Sequence, residues 1–362
     1  MTEALDIQIP DIEKSLEKLC ESPKDKKQIK ACLFTLIIYA HEPRRIKYHQ
    51  ELIDNILDKF PCRIIFIQGE NQPGKHLHVD VANVTSGREG TMVVCDQITI
   101  KSSQSELARV PYIVVPHIVP DLPVYLLWSQ TPFKEHIIFP ALQPYASRII
   151  FDSECSEDLH QFSEEMLHNL NMLKMDVMDI NWALVSNWRD MLGQLFDTPS
   201  RLSVLQKCKS LRITYNDAKT EMSYHPAIRA IYLQGWLASR LKWNYCNTEK
   251  IDGMTIISFT TKEHPSIVAL CAQTDDKLPP GAIIAIELDT IDGYTFYISR
   301  KQSLSQVVVH ISSHEQCELP YTLPLPDVHQ GMTFIKEIFY QKLSDHYCDM
   351  LKIISKMDST AL

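Results

Sequence analysis

Several signatures that mark catalysts and membrane proteins are missing from this chain. No stretch of about 18 unbroken apolar residues occurs, so no membrane-spanning helix and no membrane partner are expected. There is no GxSxG nucleophile elbow. The turn after the first apolar strand carries no glycine fingerprint, which leaves a dinucleotide site there unsupported. Ten cysteines are present, yet none forms a CxxC pair, and zinc sites need paired ligands. Basic residues are in deficit too, with 36 Lys and Arg against 45 Asp and Glu. A nucleic-acid partner is therefore not expected, because phosphate backbones are bound through clustered cations. The one sizeable basic run, Lys24 to Lys30, is interrupted by Asp25 and reads as a solvated entry segment.

The cysteines are scattered from Cys20 to Cys348, several inside apolar runs. Buried, reduced thiols in a cytoplasmic protein fit that pattern. The start, MTEALDIQIPDIEK, is acidic and lacks the charged-then-apolar order of a secretory signal.

At 362 residues the chain is long enough for about two domains. The first half reads as an α/β domain with a mostly parallel sheet flanked by helices. ACLFTLIIY, residues 31–39, is a continuous apolar run of the kind buried on both faces of a sheet. Pro43 then suits the first turn of a helix over 43–59, and Pro61 stops it before the strand CRIIFIQ. This is a βαβ unit. Further strands are expected at about 76–84, 95–101, 123–128 and 148–152, with helices at about 103–119 and 135–146. Pro111 and Pro116 should kink or break the first of these helices. The sheet should end near Phe151 and Asp152.

The second half reads as an α+β domain with an antiparallel meander. Helices dominate 156–206, with breaks near Asp179 and Pro199. A strand follows at 208–215, then a helix at 226–243. Five strands come next, at 253–260, 266–272, 281–288, 293–299 and 305–311, joined by turns suited to hairpins. A last helix is expected at 328–356, with Phe334, Ile338, Leu343, Tyr347, Leu351 and Ile354 on one stripe. The expected organisation is an N-terminal extension over 1–30, an α/β domain over 31–155 and the α+β domain over 156–362.

A few local patterns carry chemistry. GENQPGKH, residues 69–76, nearly spells a phosphate-binding loop. His76 stands where the magnesium-binding hydroxyl belongs, however, and a strand rather than a helix follows, so a connecting turn is the better reading. His76, His78 and Asp80 alternate on one strand face, which is too few ligands to specify a metal. No cofactor is implied. Asp152 and Ser153 end a strand at the sheet edge where α/β proteins bind ligands, although a helix cap explains them equally well. Arg148 shares the face of Asp152 and could meet a phosphate, but a surface ion pair is the simpler reading. Trp128 ends another strand and could stack on a sugar, or belong to the core.

The stretch DINWALVSNWRDMLGQLFDTP, residues 179–199, supplies much aromatic area and little catalytic equipment. Trp182, Trp188 and Arg189 form one candidate docking cluster. Trp236, Arg240 and Trp243 in YLQGWLASRLKW form a second. Trp and Arg are the residue types that anchor interfaces, although core packing is the ordinary role of a tryptophan.

These segments, together with HEPRR, PCRIIFI, PYIVVPHIVPDLPVYLLW and SRIIFDS, resemble the glucose-6-phosphate dehydrogenase assembly protein family, OpcA, in the family's order over roughly residues 30–300. The resemblance implies a non-catalytic bacterial protein that associates with glucose-6-phosphate dehydrogenase and promotes its assembly or active state. It would thereby control entry into the oxidative pentose phosphate pathway. The family's thioredoxin link in photosynthetic bacteria aligns with no cysteine pair here. The alternative is a sugar-phosphate- or nucleotide-binding protein or enzyme using the strand-end residues Trp128, Arg148, Asp152 and Ser153.

Overall fold

The computed structural model describes residues 5–6, 11–21, 28–57, 59–71, 74–86, 92–131, 136–170, 175–221, 225–261, 263–301, 305–326, 339 and 342–358. Its contacts divide the chain into two compact units. One comprises Met1–Cys155 with Leu173–Met178, the other Ser156–Met172 with Asp179–Leu362. Among the described residues, no helix is long and apolar enough to cross a membrane.

The first unit is an α/β sheet of nine strands. In chain order its elements are β1 (Leu5–Asp6), α1 (Ile12–Glu21), β2 (Gln28–Lys30), β3 (Thr35–Ala40), α2 (Pro43–Leu57), β4 (Arg63–Glu70), β5 (Leu77–Ser86), β6 (Met92–Ser103), α3 (Val110–Val114), β7 (Val124–Ser129), α4 (Ile138–Leu142) and β8 (Arg148–Phe151), with β9 (Asp176–Asp179) added later in the chain. The strand order is β1-β5-β6-β4-β3-β7-β8-β9, and β2 pairs with β6 beside the start of β4's register. The centre, β6-β4-β3-β7-β8, is parallel throughout. All six side chains of β3 and of β7 are buried, which is why both read as unbroken apolar runs. The described parts of the first 30 residues pack here, β1 against β5 and β2 against β6.

The helix expected over 103–119 is broken as its prolines require. It is a 3-10 turn at Gln104–Arg109, the five residues of α3, and another 3-10 turn at Val115–His117. The helix expected over 135–146 is shorter than the pattern suggests: only Ile138–Leu142 is α-helical, and Pro144 lies in the 3-10 turn Gln143–Tyr145. The sheet does not end at Phe151, because β9 extends it past β8.

The second unit places helices against a mixed, mostly antiparallel sheet. Its elements are α5 (Leu159–Leu170), α6 (Ile180–Leu184), α7 (Ser186–Leu195), α8 (Pro199–Gln206), β10 (Cys208–Asn216), α9 (Ile228–Arg240), β11 (Asn244–Ile251), β12 (Met254–Thr260), β13 (Pro265–Gln273), β14 (Ile283–Thr290), β15 (Thr295–Arg300), β16 (Gln306–Ser312), β17 (Tyr321–Pro324) and α10 (Asp345–Ile354). Alternate residues of β16 are buried, as are those of β14 from Ile286 to Thr290, as expected where only one sheet face meets the core. Helix α10 packs against α9 and α5.

The expected meander is interrupted. Strand order is β11-β12-β13-β10-β14-β15-β16-β17, so β10 is inserted between β13 and β14, parallel to the first and antiparallel to the second. The link from β13 to β14 must therefore span β10. Asn216, at the end of β10 and fully buried, fastens that link. Its Nδ2 donates to the carbonyls of Asp275, Leu278 and Pro279, and its Oδ1 accepts from the amides of Ala218 and Asp275. The helix expected over 328–356 is also corrected: Lys342, Leu343 and Ser344 are not helical, and α10 starts afresh at Asp345. Phe334 and Ile338 lie outside the described residues. Tyr347, Leu351 and Ile354 do form a buried stripe.

Candidate partner-binding surface

In the second unit the site is organised by Asp179, which is completely buried at the start of α6. Its Oδ1 accepts from the amides of Asn181 and Trp182 at 2.7 and 3.3 Å, an N-cap that turns the chain from β9 into a helix. Its Oδ2 accepts from the hydroxyls of Tyr232 on α9 and Tyr347 on α10, at 2.9 and 3.0 Å. One carboxylate thus fixes three helices relative to one another. Helix α6 stops after a single turn at Val185, and α7 continues from it.

Trp182 and Arg189 stand seven residues apart, about two helical turns, and share a face. The guanidinium of Arg189 lies 3.4 Å above the Trp182 ring and its Nη2 donates to the Trp182 carbonyl at 3.3 Å. The other flank of the indole meets Tyr347, with ring centroids 5.4 Å apart. Beside this stack is a recess of about 250 Å³, lined by Trp182, Arg189, Asp190, Trp236, Lys342, Ser344 and His346. Burial, then Arg240, then Arg189 hold the His346 imidazole below its ordinary pKa, so Arg240 belongs to the same electrostatic neighbourhood.

The six docking candidates separate accordingly. Trp182, Arg189 and Trp236 line one recess, with Arg240 exposed nearby. Trp188 and Trp243 do not join them. Trp188 is buried beneath Arg300, and Trp243 packs on Phe259. Of the tryptophans on the two helices, only Trp236 is half-buried; Trp182 is covered by Arg189. Lys342, Ser344 and His346 escaped the sequence reading, because that region read as continuous helix.

The strand-end residues of the first unit form a different kind of centre. The strand order reverses direction between β3 and β7, the position where open α/β sheets bind ligands beyond the carboxyl ends of the strands. Asp152 lies there at 1% exposure. Its Oδ2 accepts from Arg45 Nε at 2.8 Å and Nη2 at 2.7 Å, and from Ser129 Oγ at 2.9 Å, with His49 Nε2 at 3.3 Å. Burial alone would raise this carboxyl, but Arg45 and His49 hold it well below the usual carboxylate range. Burial, then Asp152, push the neighbouring Cys155 thiol far up. Asp152 is thus the centre of a buried charge cluster rather than a helix cap. Arg148 is equally far from a surface role: at 4% exposure it meets Asp176 at 3.3 Å. Ser153 is fully buried.

Trp128, at 1% exposure, is stacked on Tyr39 with centroids 4.5 Å apart, and its edges meet His136 and Phe139. His136 Nδ1 accepts from the Ile138 amide, so Nε2 carries the proton donated to the Tyr39 hydroxyl at 2.9 Å. Burial, then His41, bring the His136 pKa down to about 4 and keep the ring neutral. Gly69 is required beside this cluster, because a Cβ there would fall 2.7 Å from His41 Nδ1. Arg45 and His49 were missed as partners of Asp152. Their spacing of four, in register with Ile53, Ile56 and Leu57 on the buried face of α2, was the available signal.

Two family models match the chain. One is described as the N-terminal domain of a glucose-6-phosphate dehydrogenase subunit and covers residues 54–168; the other, the C-terminal domain, covers 175–330. The chain belongs to the OpcA family of glucose-6-phosphate dehydrogenase assembly proteins. Relatives described as OxPP cycle proteins OpcA include one from Synechococcus elongatus, 28% identical over 188 residues, or 51% of this chain and 40% of the relative. One from Nostoc punctiforme is 26% identical over 224 residues, or 60% of this chain and 46% of the relative. The chain thus matches less than half the length of these OpcA relatives. A levoglucosan dehydrogenase solved with NADH and L-sorbose aligns over 91% of this chain and 92% of its own, at 9% identity and a TM-score of 0.47.

Within the OpcA match, Trp182, Arg189, Asp190 and Trp236 fall in the C-terminal domain model, whereas Lys342, Ser344 and His346 lie beyond it. Asp152 falls in the N-terminal model and its partners Arg45 and His49 precede it. His76 pairs with Glu70, and Asp80 with His78 and Lys101. The cysteines are only partly buried as a set: Cys62, Cys95 and Cys208 are internal, while Cys246 and Cys317 are exposed, and all nine described thiols are free.

Proposed function

We propose that this protein is a non-catalytic partner of glucose-6-phosphate dehydrogenase that binds the enzyme, favours its active state and so controls entry into the oxidative pentose phosphate pathway in the bacterial cytoplasm. Membership of the OpcA family supports the partner. The observation that carries the docking surface is the convergence of Trp182, Arg189 and Trp236 on one open recess, held by the Asp179 network. Tryptophan and arginine around a pre-formed recess are the usual anchors of an interface. The sugar-phosphate or nucleotide reading is weaker, because Trp128, Arg148, Asp152 and Ser153 are all turned into the first unit's interior.

An activator works only by binding the active state of its target more tightly than the inactive one. A tenfold shift needs about 1.4 kcal/mol of differential binding, well within what a few anchor residues supply. Purified protein mixed with the cognate dehydrogenase should co-elute on gel filtration and lower the enzyme's apparent KM for its substrate. The reading fails if the two elute separately and the kinetics do not change.

A further inference from the structure

We propose that the open face of the second unit's sheet is an interface at which two copies of this chain meet about a two-fold axis. Strand register defines the face, because alternate residues of a strand share a side. Leu211, Val268, Ile286 and Ile298 turn to the side where α9 packs on β10 and β13, and all four are fully buried. The residues between them form a row on the other side. Ile256 on β12, Ala269 on β13, Arg212 on β10, Glu287 on β14, Tyr297 on β15 and His310 on β16 are consecutive register partners. Among the described residues this side is open: Tyr297 is 44% exposed, and Ile267 in the next row is 47% exposed.

Size and charge fit a second copy. Eight strands about 4.8 Å apart and about seven residues long present roughly 900 Å² of face. A standard interface takes about 800 Å² from each partner. The chain carries a net charge of −9, so two copies repel at a distance unless the meeting surfaces are charge-poor. This face is nearly balanced. Its cations are Arg212 and the exposed Lys209 at the β10 bulge; its anions are Glu287, Asp289 and, on the edge strand β11, Glu249. Arg212 and Glu287 already pair at 3.3 Å, and Asp289 accepts from the Thr295 hydroxyl. The rest of the row is neutral or aromatic, the composition found at the centre of interfaces.

Self-complementarity selects the arrangement. Sheets packed face to face keep their strands roughly aligned. A two-fold axis running along the strands between β10 and β14 then makes the row meet itself in reverse. Arg212 meets Glu287 of the partner subunit, Ala269 meets Tyr297 of the partner subunit, and Ile256 meets His310 of the partner subunit. The cation lies over an anion, and the smallest side chain of the row lies under its largest ring. In a neighbouring row Met254, which touches Cys271, meets Val308 of the partner subunit. An axis across the strands would instead lay Arg212 on its own copy and Glu287 on its own copy, which like charges oppose.

The test is sedimentation of the full chain alone across the micromolar range, where a species of twice the 41.7 kDa chain mass is expected. Arg212→Glu and Glu287→Arg should each weaken self-association about tenfold. Their melting curves should stay unchanged, since the exposed pair within one chain is worth little. Mixed in equal amounts, the two variants should associate as the parent does, because each reversed charge again meets its opposite across the axis. A purely structural role of the pair within one chain would not be rescued by mixing. Ala269→Arg, which fills the space beneath the tyrosine, should leave a folded monomer, whereas Glu164→Lys on α5 should associate as the parent does. A parent that stays monomeric at every concentration overturns the proposal. So does a dimer that Arg212→Glu and Ala269→Arg leave intact, or a pair of charge variants that mixing does not rescue. If the parent is monomeric and Ala269→Arg weakens dehydrogenase binding, the enzyme is the occupant, and the two-copy interface falls while the partner reading stands.

Discussion

Asp152 in the first unit meets charges, whereas Asp179 in the second meets hydroxyls and amides. Both are buried to the same degree and both join elements far apart in sequence. Asp152 shares a mutual dependence with Arg45: each is a buried ion that needs the other. Asp179 accepts hydrogen bonds from neutral donors of α6, α9 and α10. Burial, then Asp179, keep the Tyr347 phenol protonated and hence a donor. A buried ion pair is fragile to loss of one member, because the survivor is left uncompensated. A carboxylate held by several dipoles should lose its bonds one at a time.

The largest effect should therefore come from Arg45→Met. Urea unfolding of the first unit should lose about 3–5 kcal/mol, while the double variant Arg45→Met, Asp152→Leu regains most of it. Equal losses in the single and double variants would end the contrast. Tyr347→Phe and Tyr232→Phe should each cost about 2 kcal/mol, the value of a hydrogen bond to a charged group. A cycle of the two shows whether Asp179 loses them independently.

Acid sharpens the comparison further. His49 is buried and held below its ordinary pKa by burial, despite Asp152, and His136 sits at about 4. Between pH 6.5 and 4 the unfolded chain takes up protons at these rings and the folded chain does not. Stability is thus fully present above pH 6.5 and declines as the pH falls. His136 should account for about 1–2 kcal/mol of this, after allowing for its partial exposure. Below that window the depressed Asp152 adds a further loss in the same direction. Melting temperature against pH should show the decline, and His136→Leu should flatten it. The smallest effect on stability, about 1 kcal/mol, is expected of Trp236→Ala, which should nevertheless weaken dehydrogenase binding. Thermal melts paired with titration would measure both.

Much of this fold was legible in the sequence. Strands β3, β4 and β7 read plainly because burial on both faces demands unbroken apolar runs. Strand β9, DVMD, was hidden by its brevity between helices. Strand β11 buries only Thr248 fully, so it shows no alternation to read. The insertion of β10 between β13 and β14 depends on Asn216 reaching a loop some sixty residues away, which no local pattern encodes. The site was partly visible. Aromatic content drew attention to Trp182 and Trp236 but equally to Trp188 and Trp243, since residue type does not reveal which face a ring occupies. Asp152 stood out at its strand end, while Arg45 and His49 were assigned no role.

Strand β9 has a further consequence. The chain leaves the first unit at Cys155, contributes α5 to the second, returns for Leu173–Met178 and leaves again. No single cut can therefore part the two units. A fragment ended at Cys155 would carry β8 as a bare edge, open to pairing with other chains. During synthesis the first sheet likewise stays one strand short until α5 and β9 have emerged from the ribosome, so the completion of the first unit is timed by the second.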